Sequence, residues 1–337
     1  MAKTFINNGS GFNQLKRVYI KNPAVGGYAW SDVFKMYMHD GNEWRLVFSN
    51  EWNFLSAISG ASQVEVYNGD IYCLINGASG GIYQLVSGTW TKLGSLSNCS
   101  RMAFIGGTLY AQGSTFYTDI YSWNGSTWTR LVNTTAFYMS YCSDILSFNG
   151  NMTVRGTLLL PIGGGRYSQN PGVYVFSSGS WTKIGDFGVG SNPGLMVYGT
   201  GLAATSGGVY LYNGSTWQQL GTIYQSGKLV EFDGKIVCFG TLSPSGGAIP
   251  NGCFSWDGSA WTIVGDSIQY VGATFAFNNF LTVSATSPYN GRVGVYLWNG
   301  SLWEEIGEKH SGGSSQLFGY SGKLSALDSD GIRQWDA

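Results

Sequence analysis

The chain has 337 residues, 18 basic and 19 acidic side chains for a net charge of −1, and 11% charged residues beside 51 Gly, 13 Trp, 21 Tyr and 18 Phe. So even a balance offers no field to a polyanion, which excludes nucleic acid and anionic membrane surfaces as natural partners. A composition this rich in glycine and aromatics favours short strands and tight turns over helices, and the length suits one repeat domain or two ordinary ones.

The first 14 residues are polar and rich in Gly and Asn, which reads as a flexible or partner-ordered arm. They contain no apolar h-region, and no run of 18 apolar residues occurs anywhere, so neither a signal peptide nor membrane insertion is expected. KRVYIKN (Lys16 to Asn22) alternates as a short strand, and Gly26-Gly27 turns the chain. FKMYMHDGNEWRLVF (Phe34 to Phe48) then reads as strand, Asp40-Gly41 turn and strand, with Tyr37 seven residues before Trp44.

That hairpin recurs along the chain. Near-copies are IYQLVSGTW (Ile82 to Trp90), IYSWNGSTWTR (Ile120 to Arg130), VYVFSSGSW (Val173 to Trp181), VYLYNGSTW (Val209 to Trp217), CFSWDGSAW (Cys253 to Trp261) and VYLWNGSLW (Val295 to Trp303). Asn-Gly between alternating apolar residues predicts a type I′ hairpin turn, because both central positions need positive φ. The strict phase of Trp44, Trp90, Trp128, Trp181, Trp217, Trp261 and Trp303 predicts a packing role between repeats, since each such ring buries a large apolar area.

An earlier hairpin accompanies each copy from Val64 onward. Its turns fall at Asn68-Gly69, Gly106-Gly107, Asn149-Gly150, Gly199 to Gly201, Asp233-Gly234, Asn278-Asn279 and Ser321-Gly322. Each unit is therefore four strands, A to D, at a period matching propeller blades rather than helical solenoids. The expected fold is all-β: a seven-bladed β-propeller of four-stranded blades, closed by an N-terminal strand and preceded by a short β arm. The last unit, Gln316 to Ala337, stops after strand C, and Trp44 to Phe48 is expected to complete it and pair an edge that would otherwise stay open. Residues 1–35 would then form an attachment module and residues 36–337 the propeller.

In a four-stranded blade the A–B and C–D turns share one face of the disc, and the B–C and D–A connections share the other. The first face is short throughout. On the second, B–C loops expand at Pro161 to Gly172, Thr241 to Gly252 and Ser284 to Arg292, with a shorter version at Gly113 to Asp119. Loops on a rigid scaffold carry recognition residues, and Tyr and Arg dominate binding hot spots. The ligand-binding candidates are Phe116, Tyr117, Arg166, Tyr167, Tyr289 and Arg292; the plainer reading is that these are tolerated insertions.

Little in the chain points to catalysis. His39 and His310 belong to no metal-spaced or nucleophilic cluster, and Cys73, Cys99, Cys142, Cys238 and Cys253 have no C-x-x-C spacing and read as buried thiols. No phosphate-loop or nucleophile-elbow motif occurs in its required setting. No catalytic residue, metal or cofactor is therefore assigned. Asp119, Asp186, Asp266 and Glu308 fall near the loop-rich face and leave a glycan-degrading enzyme as one alternative.

SWNGSTW and SWDGSAW look like degenerate versions of the sialidase Asp-box, which occupies the same C–D turn. The arginines a sialidase needs are scattered here over different strands and loops. The constant Tyr-to-Trp spacing resembles kelch-type propellers, although the paired glycines of that motif do not consistently follow strand B. KRVYIKN followed by the Gly-rich turn and WSDVFKMYMHDGNEWRLV resembles a short β module of tailed-bacteriophage tail and virion proteins. That resemblance implies a non-enzymatic virion structural protein, such as a tail, fibre or head-decoration component, located in the particle. Its arm would dock to other virion proteins and its loop-rich face would adsorb to host-surface glycan. A purely architectural virion protein is the other alternative.

Overall fold

The computed structural model describes residues 19–21, 30–32, 35–39, 44–49, 51–114, 118–131, 138–163, 166–187, 194–220, 223–242, 249–265, 268–286, 293–306 and 314–336. Period-two alternation with a positive-φ turn pair generates six of the seven A–B hairpins, as where Asn68 and Gly69 have φ of 52° and 84° and Tyr67 pairs Asp70; the Gly199-Thr200 turn has positive φ at Gly199 alone. Among the described residues every regular element is a strand, and no helix is long and apolar enough to cross a membrane.

Seven four-stranded antiparallel sheets form the blades. Blade 1 comprises Ala61–Tyr67, Asp70–Ile75, Gly81–Val86 and Thr89–Lys92. Blade 2 comprises Arg101–Ile105, Thr108–Ser114, Thr118–Trp123 and Trp128–Arg130. Blade 3 has the longest strands, Tyr138–Phe148, Asn151–Gly163, Arg166–Ser177 and Ser180–Gly185. Blade 4 comprises Leu195–Tyr198, Gly201–Thr205, Val209–Tyr212 and Trp217–Gln219. Blade 5 comprises Ile223–Phe232, Lys235–Leu242, Ile249–Trp256 and Trp261–Ile263. Blade 6 comprises Gln269–Phe277, Phe280–Thr286, Val293–Trp298 and Trp303–Glu305. The A strands of neighbouring blades touch all the way round, blade 7 to blade 1 included, so they form the hub. The core is divided accordingly: each of its seven clusters lies between two adjacent blades.

Closure by an N-terminal strand holds, but the strand differs from the expected one. Before the ring, β1 (Tyr19–Lys21) pairs β2 (Trp30–Asp32), and β3 (Lys35–His39) pairs β4 (Trp44–Ser49) in a separate two-stranded sheet. The fourth strand of blade 7 is β5 (Glu51–Ala57), laid against Gly331–Asp336 with Trp52 opposite Trp335. Gln316–Tyr320 and Lys323–Leu327 complete that blade. Trp44 to Phe48 therefore does not close the ring, and the first propeller strand begins at Glu51. The Asp40-Gly41 hairpin misled because its Tyr-to-Trp spacing imitates the repeat, whereas Trp52 has no C–D turn before it in sequence.

Two devices lock blades to their neighbours. The indole N–H of a strand-D Trp donates to the carbonyl three residues beyond the preceding blade's Trp: Trp128 to Leu93 and Trp217 to Ile184, both at 2.6 Å, Trp261 to Leu220, and Trp52 to Ile306 at 3.0 Å. Trp90 varies this, donating to Ser56 Oγ at 2.9 Å, and buried Trp303 has no acceptor among the described residues. Glycine follows the accepting residue because the incoming ring needs the space: a Cβ on Gly94, at φ of 63°, would meet Trp123 and Trp128 at 3.0 Å.

At the hub, side-chain amides pair with exposed strand edges. Gln63 Nε2 donates to Met102 O at 2.7 Å while Met102 N–H donates to Gln63 Oε1 at 3.0 Å. Gln316 repeats the arrangement on Val64, at 2.7 and 2.6 Å, and so joins the last blade to the first. Each glutamine stands in for a missing partner strand and satisfies backbone groups that would otherwise be left unpaired at the centre of the disc.

The C–D turns are of two kinds. Ser87-Gly88 and Ser178-Gly179 are two-residue turns with positive φ at both positions. The Asn-Gly and Asp-Gly copies instead bridge Trp123 to Trp128, Tyr212 to Trp217, Trp256 to Trp261 and Trp298 to Trp303 by four-residue loops. There the first residue's carboxamide or carboxylate caps the loop: Asn124 Oδ1 accepts from Ser126 N–H at 3.0 Å and Thr127 N–H at 2.8 Å. Local side-chain capping displaces the expected type I′ geometry, and it brings the two aromatic rings to 5.1 Å at Trp123 and Trp128.

Candidate functional site

The expanded B–C segment of blade 3 is a continued strand pair rather than a loop. Its ladder runs without a break from Met152 opposite Phe176 to Pro161 opposite Tyr167, then shifts register to end on Gly163 opposite Arg166. Strand A follows part of the way, with Tyr138 opposite Leu159. Leu158 is buried where this ribbon leaves the disc, whereas Ile162 near its end is 63% exposed. Arg166 and Tyr167 are exposed beside it. The base is tied down from strand D: Lys183 Nζ reaches Asn170 Oδ1 and Asp186, and Tyr174 O–H donates to Asn170 O at 2.5 Å. Burial, with Asp186 adding to it, pushes the Tyr174 phenol up to about 12, so it remains a donor at neutral pH.

Of the sequence-derived candidates, Arg166 and Tyr167 lie together on this ribbon. Phe116, Tyr117, Tyr289 and Arg292 fall outside the described residues, as do His310, Asp266 and Glu308. Asp119 pairs Arg130 at 3.0 Å, and Asp186 is taken up by Lys183. Among the described residues no three His, Cys, Asp or Glu side chains gather as metal ligands would. The five cysteines are buried and form no disulfide, and burial pushes the Cys73 and Cys99 thiols up to about 12, where thiolate chemistry is suppressed.

A second polar assembly lies on the hub. Counting back from the A–B turns, one layer of the ring carries Gln63, Arg101, Asp144, Gly194, Lys228, Ala273 and Gln316, opposite Leu74, Gln112, Arg155, Thr205, Phe239, Ser284 and Leu327 of the B strands. The glutamines form the amide pairs already described. Arg101 spends Nε on Ser143 O and Nη1 on Ser100 O. Arg155 is fully buried and donates to the carbonyls of Thr205 and Gly194. Asp144 accepts from Ser143 Oγ at 3.2 Å; burial raises its carboxyl, with Arg101, Arg155 and Lys228 pulling the other way. Desolvation depresses Lys228, with Asp144 pulling the other way and Arg101 adding to it, and the residue is exposed to solvent. Glu65, nearer the A–B turn, is pushed up to about 7 by burial, against a hydrogen bond from Gln63. Sequence reading missed this layer; its signal was the common five-residue distance from each A–B turn.

No protein-family model matches the chain, and no characterised protein matches it in sequence. Solved propellers do match in shape. The β-propeller domain of the Trilobed protease from Pyrococcus furiosus, described as having an open velcro topology, aligns over 85% of this chain and 95% of that one with 9% identity and a TM-score of 0.57. The acylaminoacyl peptidase of Pyrococcus horikoshii aligns over 83% of this chain with 13% identity and a TM-score of 0.55, and the GH74 enzyme of Niastella koreensis over 83% with 14% identity and a TM-score of 0.55. The chain spans about half the length of those two enzymes, 51% and 53%. At these identities the likeness is one of fold, and the chain is a seven-bladed β-propeller.

Proposed function

We propose that this is a non-enzymatic recognition protein of a phage particle, held by its N-terminal segment and presenting the loop-rich face of the propeller to a host-surface glycan. The observation that carries this reading is the asymmetry of the disc. One face consists of short turns, while from the other the blade 3 ribbon stands out with Ile162, Arg166 and Tyr167 exposed on a braced base. Apolar, cationic and aromatic side chains on a rigid projection suit a sugar surface, where stacking and hydrogen bonds to hydroxyls cost little reordering. The separate sheets β1–β2 and β3–β4 ahead of the closing strand suit an attachment role, in line with the resemblance of that segment to virion modules.

The test is binding of the full chain to an array of bacterial surface polysaccharides and to whole bacteria. Saturable binding without release of sugars supports the reading; release of reducing sugars would replace it with a glycan-degrading enzyme. Failure to bind any surface, together with capture of another virion protein by the N-terminal segment, would replace it with a purely architectural role.

A further inference from the structure

We propose that the hub layer of Arg101, Asp144, Arg155 and Lys228 binds a small oxyanion, a phosphate or carboxylate group, independently of any surface recognition by the blade 3 ribbon. These side chains come from blades 2, 3 and 5, and the ring geometry places them in one layer about the propeller axis. Three cations share one carboxylate there, in a chain whose net charge is −1. Glu65, two residues nearer the A–B turn on blade 1, is only partly ionised near neutral pH and does not cancel the excess.

The donors are directional as well as charged. Arg101 uses two nitrogens on backbone carbonyls, which fix the guanidinium plane without neutralising it, and Nη2 has no partner among the described residues. Lys228 forms no ion pair or hydrogen bond with any described residue; Asp144 and Arg101 act on it only through space. In the ring Lys228 stands between Gly194 and Ala273, neither of which carries a polar side chain. Arg155 lies behind Asp144 as a buried charge anchored to two carbonyls.

Arg101 and Lys228 are like charges that share one carboxylate, and an entering oxyanion relieves their repulsion while accepting from both. Lys228 is solvent-reached, so the ligand has a path to it. Chloride lacks the several oxygens needed to accept from a guanidinium and an ammonium at once.

The experiment is isothermal titration of the full chain with inorganic phosphate and with acetate, each against chloride at equal ionic strength. Saturable binding of either anion at one site per chain is expected, weakened at least tenfold in Lys228→Met and unchanged in Arg166→Ala. Lys228→Met removes no described hydrogen bond, so its fold should persist, and its unfolding temperature in chloride provides the check. Binding of phosphate alone or acetate alone supports the site and sorts the ligand. Absence of saturable binding, or equal binding by wild type and Lys228→Met, overturns it.

Discussion

Trp52 Nε1 donates to the carbonyl of Ile306 at 3.0 Å, across 254 residues of sequence. The same bond links Trp128 to Leu93 and Trp217 to Ile184 between blades adjacent in the chain. The N-terminal strand thus joins blade 7 to blade 6 by the same indole-to-carbonyl bond that Trp128, Trp217 and Trp261 make. Trp52→Ala is expected to cost about 3 kcal/mol, the usual range for truncating a packed Trp. Trp44→Ala should leave propeller stability unchanged, because that residue belongs to the separate β3–β4 sheet. Urea denaturation of both variants checks the pair, and equal losses would return closure to the Trp44 strand.

The Gln316 amide closes the same junction at the hub. Gln316→Leu keeps most of the volume but strands the Val64 N–H and C=O, an expected loss of about 2 kcal/mol. Gln63→Leu should cost a similar amount at the junction of blades 1 and 2. Chemical denaturation of the two single variants measures this, and a negligible loss in either would show that water replaces the amide.

The turn glycines separate backbone cost from packing cost. Gly94 has φ of 63° and two indoles 3.0 Å from any added Cβ, whereas Gly125 has φ of 98° and nothing within 4 Å. Gly125→Ala is expected to cost about 1 kcal/mol from the left-handed backbone alone. Gly94→Ala should cost about 1–3 kcal/mol more, because overpacking a fixed ring forces a shift. Thermal unfolding compares them, and equal losses would contradict the interlock.

Much of this architecture was legible because it repeats. Seven positive-φ turns and the phase of six Trp residues gave the blade count and the strand order. The closing strand was misplaced because β5 carries its Trp52 without the preceding turn, while the β3–β4 hairpin copies the spacing without the role. The four-residue C–D loops were missed because Asn-Gly is equally compatible with a type I′ turn, and only the following Ser and Thr amides reveal the capped alternative. The hub charges were hidden differently: Arg101, Asp144 and Lys228 are unlike residues far apart in sequence, and only the ring brings them to one layer.

Glu65 makes stability pH-dependent with a definite sign. Its folded carboxyl is pushed from 4.5 up to about 7 by burial, so the folded state favours the proton. The contribution is complete below about pH 4.5 and is lost as pH rises through 7. Its size is at most ~3 kcal/mol, reduced by the water contact that Glu65 retains. Subtracting the Glu65→Gln stability from that of the wild type at pH 5 and pH 8.5 isolates the effect; a difference that is flat, or that rises with pH, would refute it.

The most direct test of the account is a side-by-side titration of a bacterial surface that retains the full chain, with wild type, an Arg166→Ala/Tyr167→Ala variant and a Ser126→Tyr variant on the opposite face. The blade 3 ribbon is expected to carry recognition, so the double variant should bind at least tenfold more weakly while Ser126→Tyr binds as wild type. Undiminished binding by the double variant, or a loss confined to Ser126→Tyr, would contradict display through the loop-rich face.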